Sequence, residues 1–496
     1  MEPAIYQVRE GSRPAVENRP MAVLFYLLAA VFIATRLWHL ASYPLWLDEV
    51  ISVEAVRLKW KDLLSWAVKD AVHPPLFYFL FKLWVSTGGE TLAWLKLFPA
   101  LTSFAAIVPF FLFCKELRLR AAEVNTALGL MAVNTYLIHY AQEIRMYSLL
   151  FLLSLCSLWL FARFVNGEDR RLRVSLLFAA NLLLVYIHLF GWLVVLAEAV
   201  YVLLFERRKC LSFSVSVVAL IIGFAPWVWL VVQGSVVGSH QMGSNLLWIE
   251  RPNLITLASY YNGLHGPFES RRAAGLALLL FGFPVVLWIR RTLKGTNQGS
   301  RRLLCGLGLF SFLPASVAFI ASHLFRFSVF GDRYLIICAA PYLILISVAV
   351  FDIPHRRLRP VCLSLILIWA VSSYVYQLAF IEQRIDFSAI VDTMLRSESA
   401  KSSRITLDMF EPYLASPIQY YLESSGLRER FEIRSVESTS ALTGSHFWVA
   451  YRNTNERWKR EPTPASFLKD RNCQVGSEMT FGPGRNVVLL PVYSCP

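Results

Sequence analysis

The stretch that decides the architecture is Tyr-Pro-Leu-Trp-Leu-Asp-Glu-Val, residues 43–50, directly after the first long apolar run. It places two adjacent carboxylates, Asp48 and Glu49, at the mouth of an apolar segment. Acidic side chains at the edge of a membrane are costly to place there and mark functional sites by default. A solvated acidic loop without a role is the alternative. The sequence on either side of the pair favours the functional interpretation.

Composition assigns the chain to the membrane class. Its 496 residues are 56% hydrophobic and 14% aromatic, with a mean hydropathy of +0.50. Repeated apolar runs of ~20 residues are long enough to cross a bilayer, and a soluble domain does not carry them in series. The net charge of +14 first suggests nucleic-acid binding. Because Lys and Arg fall mostly between the apolar runs, the charge is explained by orientation in the lipid bilayer, and no nucleic-acid partner is predicted.

Alternating basic clusters predict an α-helical polytopic protein with about eleven transmembrane helices. The basic N-terminal segment, with Arg9 and Arg13, predicts a cytoplasmic N-terminus. The apolar run after Met21 lacks the cleavage site of a signal peptide. The amphipathic stretch 53–69 and a short aromatic segment after His73 predict two interfacial helices in the first outer loop. The predicted spans are 21–39, 92–113, 124–138, 148–164, two within 174–205, 211–232, 273–289, 303–321, 334–350 and 361–380.

A change of composition near residue 380 predicts two domains. Residues 1–380 contain the apolar runs. Residues 381–496 are polar, with short alternating apolar stretches typical of strands. The prediction is a transmembrane domain followed by a small C-terminal α+β domain outside the cytoplasm, in the periplasm.

The cysteines divide in the same way. Cys473 and Cys495 lie in the tail, which the predicted topology places in an oxidising compartment, so a disulfide between them is predicted. Two unpaired thiols are the alternative. The other six cysteines lie in or beside apolar runs, where small buried hydrophobic side chains are expected. No Cys/His metal pattern occurs, so no cofactor is predicted with certainty, and a divalent metal stays open.

Polar side chains collect at the predicted outer ends of the spans. Taken singly, each has a structural alternative: Arg145 at the membrane interface, His188 in a packed core, His73 at a turn. Together they supply a carboxylate base and two guanidinium groups at the boundary between water and lipid. The predicted site consists of Asp48, Glu49, His73, Gln142, Glu143, Arg145, Tyr147, His188, Arg333 and Tyr334.

A site of this kind suits an amphiphile with a buried tail and an anionic head. Guanidinium groups recognise phosphate oxygens through paired, charge-assisted hydrogen bonds. A nearby carboxylate can take a proton from a hydroxyl nucleophile. A sugar carried on a polyprenyl phosphate meets both requirements. No glycine-rich phosphate loop precedes a helix, so a nucleotide-sugar donor is not expected.

Four motifs in this order resemble a known family. Leu-Trp-Leu-Asp-Glu at 45–49 is followed by His-Pro-Pro-Leu-Phe-Tyr at 73–78, Tyr-Ala-Gln-Glu-Ile-Arg-Met-Tyr at 140–147 and Asp-Arg-Tyr-Leu at 332–335. The order is similar to that of GT-C fold glycosyltransferases that use polyprenyl-phosphate sugars. Within that fold the motifs resemble the family 39-like group, which is related to lipid A aminoarabinose transferases and protein O-mannosyltransferases. Residues 413–421 resemble the start of the outer domain of that family.

The resemblance implies an inverting, integral-membrane glycosyltransferase on the outer face of the cell inner membrane. It would move a hexose or pentose from a polyprenyl-phosphate donor to an unknown lipid, glycan or protein acceptor. It assigns Asp48 as the acceptor-activating base with Glu49 beside it, and Arg145 and Arg333 as ligands of the donor phosphate. His73, Gln142 and the remaining polar residues are assigned to the site as substrate-binding side chains.

Two other functions are alternatives. A lipid-linked-sugar flippase or transporter would carry its charges near the middle of the bilayer, on broken helices in repeated halves. Here the charges lie at the outer ends of predicted spans, and the sequence shows no internal repeat. An oligosaccharide polymerase or ligase would rely on arginines in large outer loops rather than on an early Asp-Glu pair.

Overall fold

The protein folds into two compact units. The helical unit contains Met1–Leu40 and Leu58–Phe380, and the tail unit contains Ala41–Arg57 together with Ile381–Pro496. The computed structural model describes residues 19–167, 171–238, 249–267, 270–295, 297–379, 385–398, 404–442, 446–482 and 486–495. The basic N-terminal segment with Arg9 and Arg13 lies outside the described residues.

The helical unit is built from α-helices because each apolar helix satisfies its own backbone N–H and C=O groups, as lipid requires. A 3-10 helix, Asp332–Cys338, leads into the sixteenth α-helix. The helices before the tail are α1 (Arg19–Leu37), α2 (Leu47–Arg57), α3 (Trp60–Asp70), α4 (Leu76–Gly88), α5 (Leu92–Ala105), α6 (Ile107–Glu116), α7 (Ala121–Ala132), α8 (Thr135–Ala141), α9 (Tyr147–Asn166), α10 (Arg171–Ile187), α11 (Gly191–Phe205), α12 (Cys210–Gly238), α13 (Leu254–His265), α14 (Arg271–Lys294), α15 (Gln298–Leu324), α16 (Ala339–Phe351) and α17 (Leu358–Ala379).

Eight helical segments of the described chain are long and apolar enough to cross a membrane. Each coincides with a predicted span, which confirms the prediction of a multi-pass α-helical membrane protein. They are Arg19–Leu37, Leu92–Glu116, Tyr147–Asn166, Arg207–Gly234, Arg271–Lys294, Gln298–Leu324, Asp332–Phe351 and Leu358–Leu378.

The other three predicted spans are shorter than the ~20 residues that a crossing needs. Helices α10 and α11, joined by a turn at His188 as predicted, have 17 and 15 residues. The predicted span 124–138 is divided into α7 and α8. The cause is Asn134, whose side chain accepts a hydrogen bond from the Leu137 N–H at 3.0 Å and so begins a new helix.

The first outer loop differs from the prediction in one respect. The amphipathic stretch 53–69 is not one helix, because α2 ends at Arg57 and α3 begins at Trp60. Helix α3 keeps the expected pattern, with a buried apolar stripe and with Lys61 and Lys69 exposed. The aromatic segment forms α4, which at 13 residues is too short to span.

A buried guanidinium holds α1 against its neighbours. Arg36 is fully buried and donates to the carbonyl oxygens of Phe32, Met131 and Ala132 and to Ser103 Oγ, at 3.0–3.2 Å. Because Met131 and Ala132 end α7, their carbonyls lack partners within that helix. The guanidinium therefore caps α7 and joins it to α1 and α5, and no pattern in the sequence indicated this contact.

The tail unit contains a six-stranded sheet in the order β2-β1-β3-β6-β4, with β5 also pairing with β6. Strand β1 is parallel to β2 and β3, whereas β6 is antiparallel to β3, β4 and β5. This is the predicted small C-terminal domain with strands. Its elements are α18 (Phe387–Ser397), β1 (Ile405–Met409), α19 (Ala415–Ser424), β2 (Phe431–Ser435), β3 (Phe447–Arg452), α20 (Pro464–Asp470), β4 (Gln474–Val475), β5 (Met479–Phe481) and β6 (Val487–Ser494).

Alternation along β3 explains why both faces of the sheet are buried. Trp448 and Ala450 join the apolar core that contains α18 and α19. Phe447 and Val449 join the core on the other face, which contains α20. Successive side chains of a strand point to opposite faces, so one strand contributes to both cores.

The predicted disulfide is present: Cys473, after α20, is bonded to Cys495, which follows β6. A loop of this size stabilises a domain by ~3 kcal/mol in the chain-entropy model. The other six cysteines are free thiols. The expectation that they are buried is confirmed for Cys114, Cys338 and Cys362. Cys156 and Cys210 are partly exposed, and the expectation is wrong for Cys305, which is exposed on α15.

Candidate active site

The predicted site residues divide between the two units. Asp48 and Glu49 lie in the first turn of α2 and belong to the tail unit. The other eight residues belong to the helical unit. The first outer loop therefore contributes to both units, with Ala41–Arg57 in one and the segment from Leu58 onward in the other.

The two acids at the start of α2 have different surroundings. Glu49 is fully buried, and its Oε2 accepts from the Trp46 N–H at 3.2 Å. Trp46 immediately precedes the helix, so this contact is half of a capping box, in which an acid in the first turn satisfies the amide at the helix start. Asp48 is half-buried, and its backbone carbonyl accepts from Ser52 Oγ at 2.9 Å. Glu49 therefore makes the side-chain contact at the start of the helix.

In the helical unit, the predicted site residues lie in turns between helices or at the start of a helix. His73 lies between α3 and α4, and His188 lies between α10 and α11. Arg145 precedes α9, which Tyr147 begins, and Arg333 lies in the 3-10 helix before α16. Side chains on connections at the ends of rigid helices are well placed to contact a ligand.

Four aromatic rings and a guanidinium form a compact group, the ring cluster, around Tyr334. The Tyr334 ring centroid lies 4.7 Å from that of His188, 6.2 Å from that of Tyr147 and 6.4 Å from that of His73. The two histidine rings are 5.7 Å apart. Arg333 Cζ lies 5.6 Å from the Tyr334 centroid and 6.0 Å from the Tyr147 centroid. The structure thus brings together five of the predicted residues.

Arg145 interacts electrostatically with His188 of the same ring cluster. Its side chain is 7% exposed, and Nη1 lies 3.4 Å from Tyr78 Oη, to which it donates. Burial lowers the pKa of His188 well below its usual value, and electrostatic interaction with His73 and with the charged Arg145 and Arg333 lowers it further. His188 is therefore a neutral imidazole within reach of two guanidinium charges.

The hydrogen bonds of His188 fix where its proton lies. Its Nδ1 accepts from the Phe190 N–H at 3.1 Å, so the neutral ring carries its proton on Nε2. This Nε2–H and the Tyr147 hydroxyl are buried, and neither has a hydrogen-bond partner within the described ranges. Buried polar groups are nearly always paired, with protein, water or a ligand. Two such donors beside two guanidinium groups have the chemistry that an anion requires.

Asp70 is a member of the site that sequence reasoning missed. His73 Nδ1 lies 2.6 Å from Asp70 Oδ2, to which it donates. The contact orients the ring, and His73 Nε2 is buried without a hydrogen-bond partner among the residues described. A carboxylate that orients a histidine recurs at sites of proton transfer. The available signal was an acid three residues before the histidine, at the end of α3.

Gln142 and Glu143 make contacts that support the framework. Gln142 Nε2 donates to the carbonyl oxygens of Arg36 and Trp38 at 2.9 and 2.8 Å, which closes the end of α1. Glu143 is buried, with Oε2 3.3 Å from His139 Nε2. A direct role of either residue in substrate binding stays a prediction.

A metal site has no defined ligands in the described part of the chain. No group of three or more His, Cys, Asp or Glu side chains there is arranged to hold a metal ion. Protein sites for zinc usually offer three or four such ligands.

Comparison of the sequence with protein-family models and with curated proteins gives no match. Solved structures do match. ArnT from Cupriavidus metallidurans, in the apo state and bound to undecaprenyl phosphate, gives a TM-score of 0.54 at 12% identity, covering 95% of this chain and 97% of that chain. The oligosaccharyltransferase AglB from Archaeoglobus fulgidus, in complex with an inhibitory peptide and a dolichol-phosphate, gives 0.51 at 12% identity over 84% of this chain and 65% of that chain. Both neighbours have the architecture that the four motifs predicted, and this chain likewise has the GT-C fold.

Proposed function

We propose that this protein is an inverting glycosyltransferase of the cell inner membrane that uses a polyprenyl-phosphate sugar as donor. The observation that supports the proposal is a group of cationic and hydrogen-bond-donating side chains in the helical unit: Arg145, Arg333, His188 Nε2–H and the Tyr147 hydroxyl. A protein whose helices are long enough to cross a membrane meets lipid-borne anions there. Undecaprenyl phosphate, the ligand of one solved neighbour of the same fold, is such an anion.

The proposed reaction is a single displacement at the anomeric carbon. The acceptor oxygen forms a bond to that carbon, while the bond from the carbon to the phosphate oxygen breaks and leaves its electron pair on the phosphate. Arg145 and Arg333 stabilise this developing charge, and only stabilisation that is stronger in the transition state accelerates the step. Each hydrogen bond to the charged phosphate contributes about 1.5–3 kcal/mol. One displacement inverts the configuration of the sugar.

Asp48 is proposed as the base that takes the proton of the acceptor hydroxyl. Its half-buried position in the first turn of α2 supports this role, whereas Glu49 is buried in the helix cap. Glu49 then acts by holding the turn that carries Asp48. His73, oriented by Asp70, is proposed to contact the leaving phosphate through Nε2.

The donor and the acceptor can be identified from a strain that lacks the protein. We expect the polyprenyl-phosphate sugar that the enzyme consumes to accumulate, and the acceptor to lack that sugar. Mass spectrometry of lipid and glycan extracts reports both, with the strain complemented by the wild-type gene as the control. Unchanged pools and an unchanged glycan would contradict the proposal.

A flippase predicts the same accumulation, so a second measurement separates the two functions. The accumulated donor is purified and placed in liposomes with the wild-type protein and the glycan fraction of the deletion strain. A transferase releases free polyprenyl phosphate and adds the sugar to the glycan. A protein that moves the donor across the bilayer without releasing polyprenyl phosphate is a flippase.

The proposal includes an orientation in the membrane, with a cytoplasmic N-terminus and with the catalytic side chains outside. Basic clusters at the predicted inner ends of the spans, such as Arg118 and Arg357, support it. Reporter fusions after Val165 and after Phe380 are expected to be cytoplasmic and external. A cytoplasmic signal from the second fusion would place the tail unit, and Asp48 with it, on the wrong side for an external reaction.

A further inference from the structure

The helix that carries Asp48 packs, within the tail unit, against α19. Tyr421 Oη donates to the carbonyl oxygen of Leu45 at 3.2 Å, three residues before Asp48. Ser416 Oγ donates to Glu54 Oε2 at 2.7 Å, in the second half of α2. These contacts join positions 376 and 362 residues apart in the sequence.

A third contact lies at the end of α2. The Arg57 guanidinium stands 5.0 Å over the ring of Tyr420 and 3.9 Å from Glu423. Helix α19 therefore contacts α2 and its preceding turn at the beginning, the middle and the end. Contacts distributed along an 11-residue helix fix both its place and its rotation about its own axis.

The first two contacts are the stronger ones. Both hydrogen bonds are partly buried. Consistent with this, burial raises the pKa of Tyr421 and that of Glu54, the latter partly offset by the hydrogen bond from Ser416. Hydrogen bonds shielded from water are stronger than exposed ones. The Arg57–Glu423 pair is more than one-third exposed on both sides, and exposed ion pairs contribute little. Among the polar contacts, those of Tyr421 and Ser416 therefore hold α2 most strongly, in addition to the packing of its buried apolar residues.

We infer that α19 positions the catalytic base: Tyr421 and Ser416 hold α2, and through it they aim the Asp48 carboxylate at the acceptor. The inference rests on the proposed role of Asp48. It assigns α19, in the C-terminal part of the tail unit, a part in catalysis, because side chains of α19 contact the segment that carries the base. The position of the Asp48 carboxylate must be held accurately, because a misplacement of 1 Å can lower the rate by ~10²-fold.

Tyr421→Phe tests this inference, because it removes one hydroxyl and keeps the packing of the ring. With the donor purified from the deletion strain, we expect the turnover number to fall roughly tenfold while the KM for the donor changes less than about twofold. The matched control is Tyr493→Phe, which removes the same atoms from an exposed tyrosine on β6 and is expected to leave turnover unchanged. An unchanged turnover number in Tyr421→Phe would overturn the inference.

A double variant separates positioning from general damage to the fold. If Tyr421 acts through Asp48, adding Tyr421→Phe to Asp48→Asn leaves the residual rate of Asp48→Asn unchanged. A further loss of equal size in the double variant would show a role independent of Asp48 and would overturn the inference.

The second hydrogen bond has its own test. Ser416→Ala and Glu54→Ala are expected to lower turnover equally, and together no more than either alone, because they remove the same contact. Fully additive losses would contradict a shared role. Failure of the proposed function has a different signature, namely no release of polyprenyl phosphate by the wild-type protein. Failure of the Asp48 assignment alone would appear as near-normal turnover in Asp48→Asn.

Discussion

Asp48→Asn is expected to lower turnover by a factor of ~10²–10⁴, the usual cost of removing a general base. Asparagine has the shape of aspartate but cannot accept the proton of the acceptor hydroxyl at neutral pH. The helix start stays intact, because the cap is made by Glu49 and the Trp46 N–H. Affinity for undecaprenyl phosphate should therefore match the wild type. Single-turnover rates with the purified donor and equilibrium binding of undecaprenyl phosphate measure the two quantities separately.

Glu49→Gln is the matched variant for this experiment. Glutamine keeps an oxygen that can accept from the Trp46 N–H, so the capping contact survives while the charge is lost. We expect a smaller loss of turnover than in Asp48→Asn. The reverse order, with near-normal turnover in Asp48→Asn and a collapse in Glu49→Gln, would assign the base to Glu49. Normal rates in both variants would remove the acidic pair from the mechanism.

The helical architecture could be predicted from the sequence because membrane helices are determined locally. An apolar run such as that of α9 satisfies its own backbone wherever it is placed, so length and composition suffice to recognise it. The break between α7 and α8 was missed, because the run 124–138 stays apolar while Asn134 starts a new helix within it. A single capping side chain can therefore divide an apolar run into two helices, although the average hydropathy of the run predicts one.

The residues of the ring cluster could be named from the sequence, but their geometry could not be predicted. The order of four motifs pointed to His73, Arg145 and Arg333, each near the end of a span. Which nitrogen of His188 bears the proton depends on the Phe190 backbone amide, and the local turn alone determines that contact. The packing of α2 against α19 depends on Tyr421, 376 residues beyond Leu45. Hydrophobic periodicity contains no information on a contact of that kind.

The two arginines are expected to dominate binding of the donor phosphate. Truncating one partner of a buried, charge-paired contact costs about 2–5 kcal/mol. Arg145→Ala should therefore weaken binding of undecaprenyl phosphate by a factor of ~30 or more. Arg145→Lys keeps the charge but loses the two-pronged geometry, so its loss should be intermediate. Titration of the lipid phosphate into the protein in nanodiscs measures both.

A charge-matched control decides whether the site or the overall charge binds the phosphate. Arg271 is an exposed arginine at the start of α14, and Arg271→Ala removes one positive charge from the same unit. If binding is local, Arg271→Ala binds like the wild type, while Arg145→Ala and Arg333→Ala both bind weakly. The double variant of Arg145→Ala and Arg333→Ala should lose less binding free energy than the sum of the two single losses, because both guanidinium groups are proposed to contact one phosphate. Equal weakening in all three single variants would mean that net charge alone attracts the lipid, and the ring cluster would then have no assigned ligand.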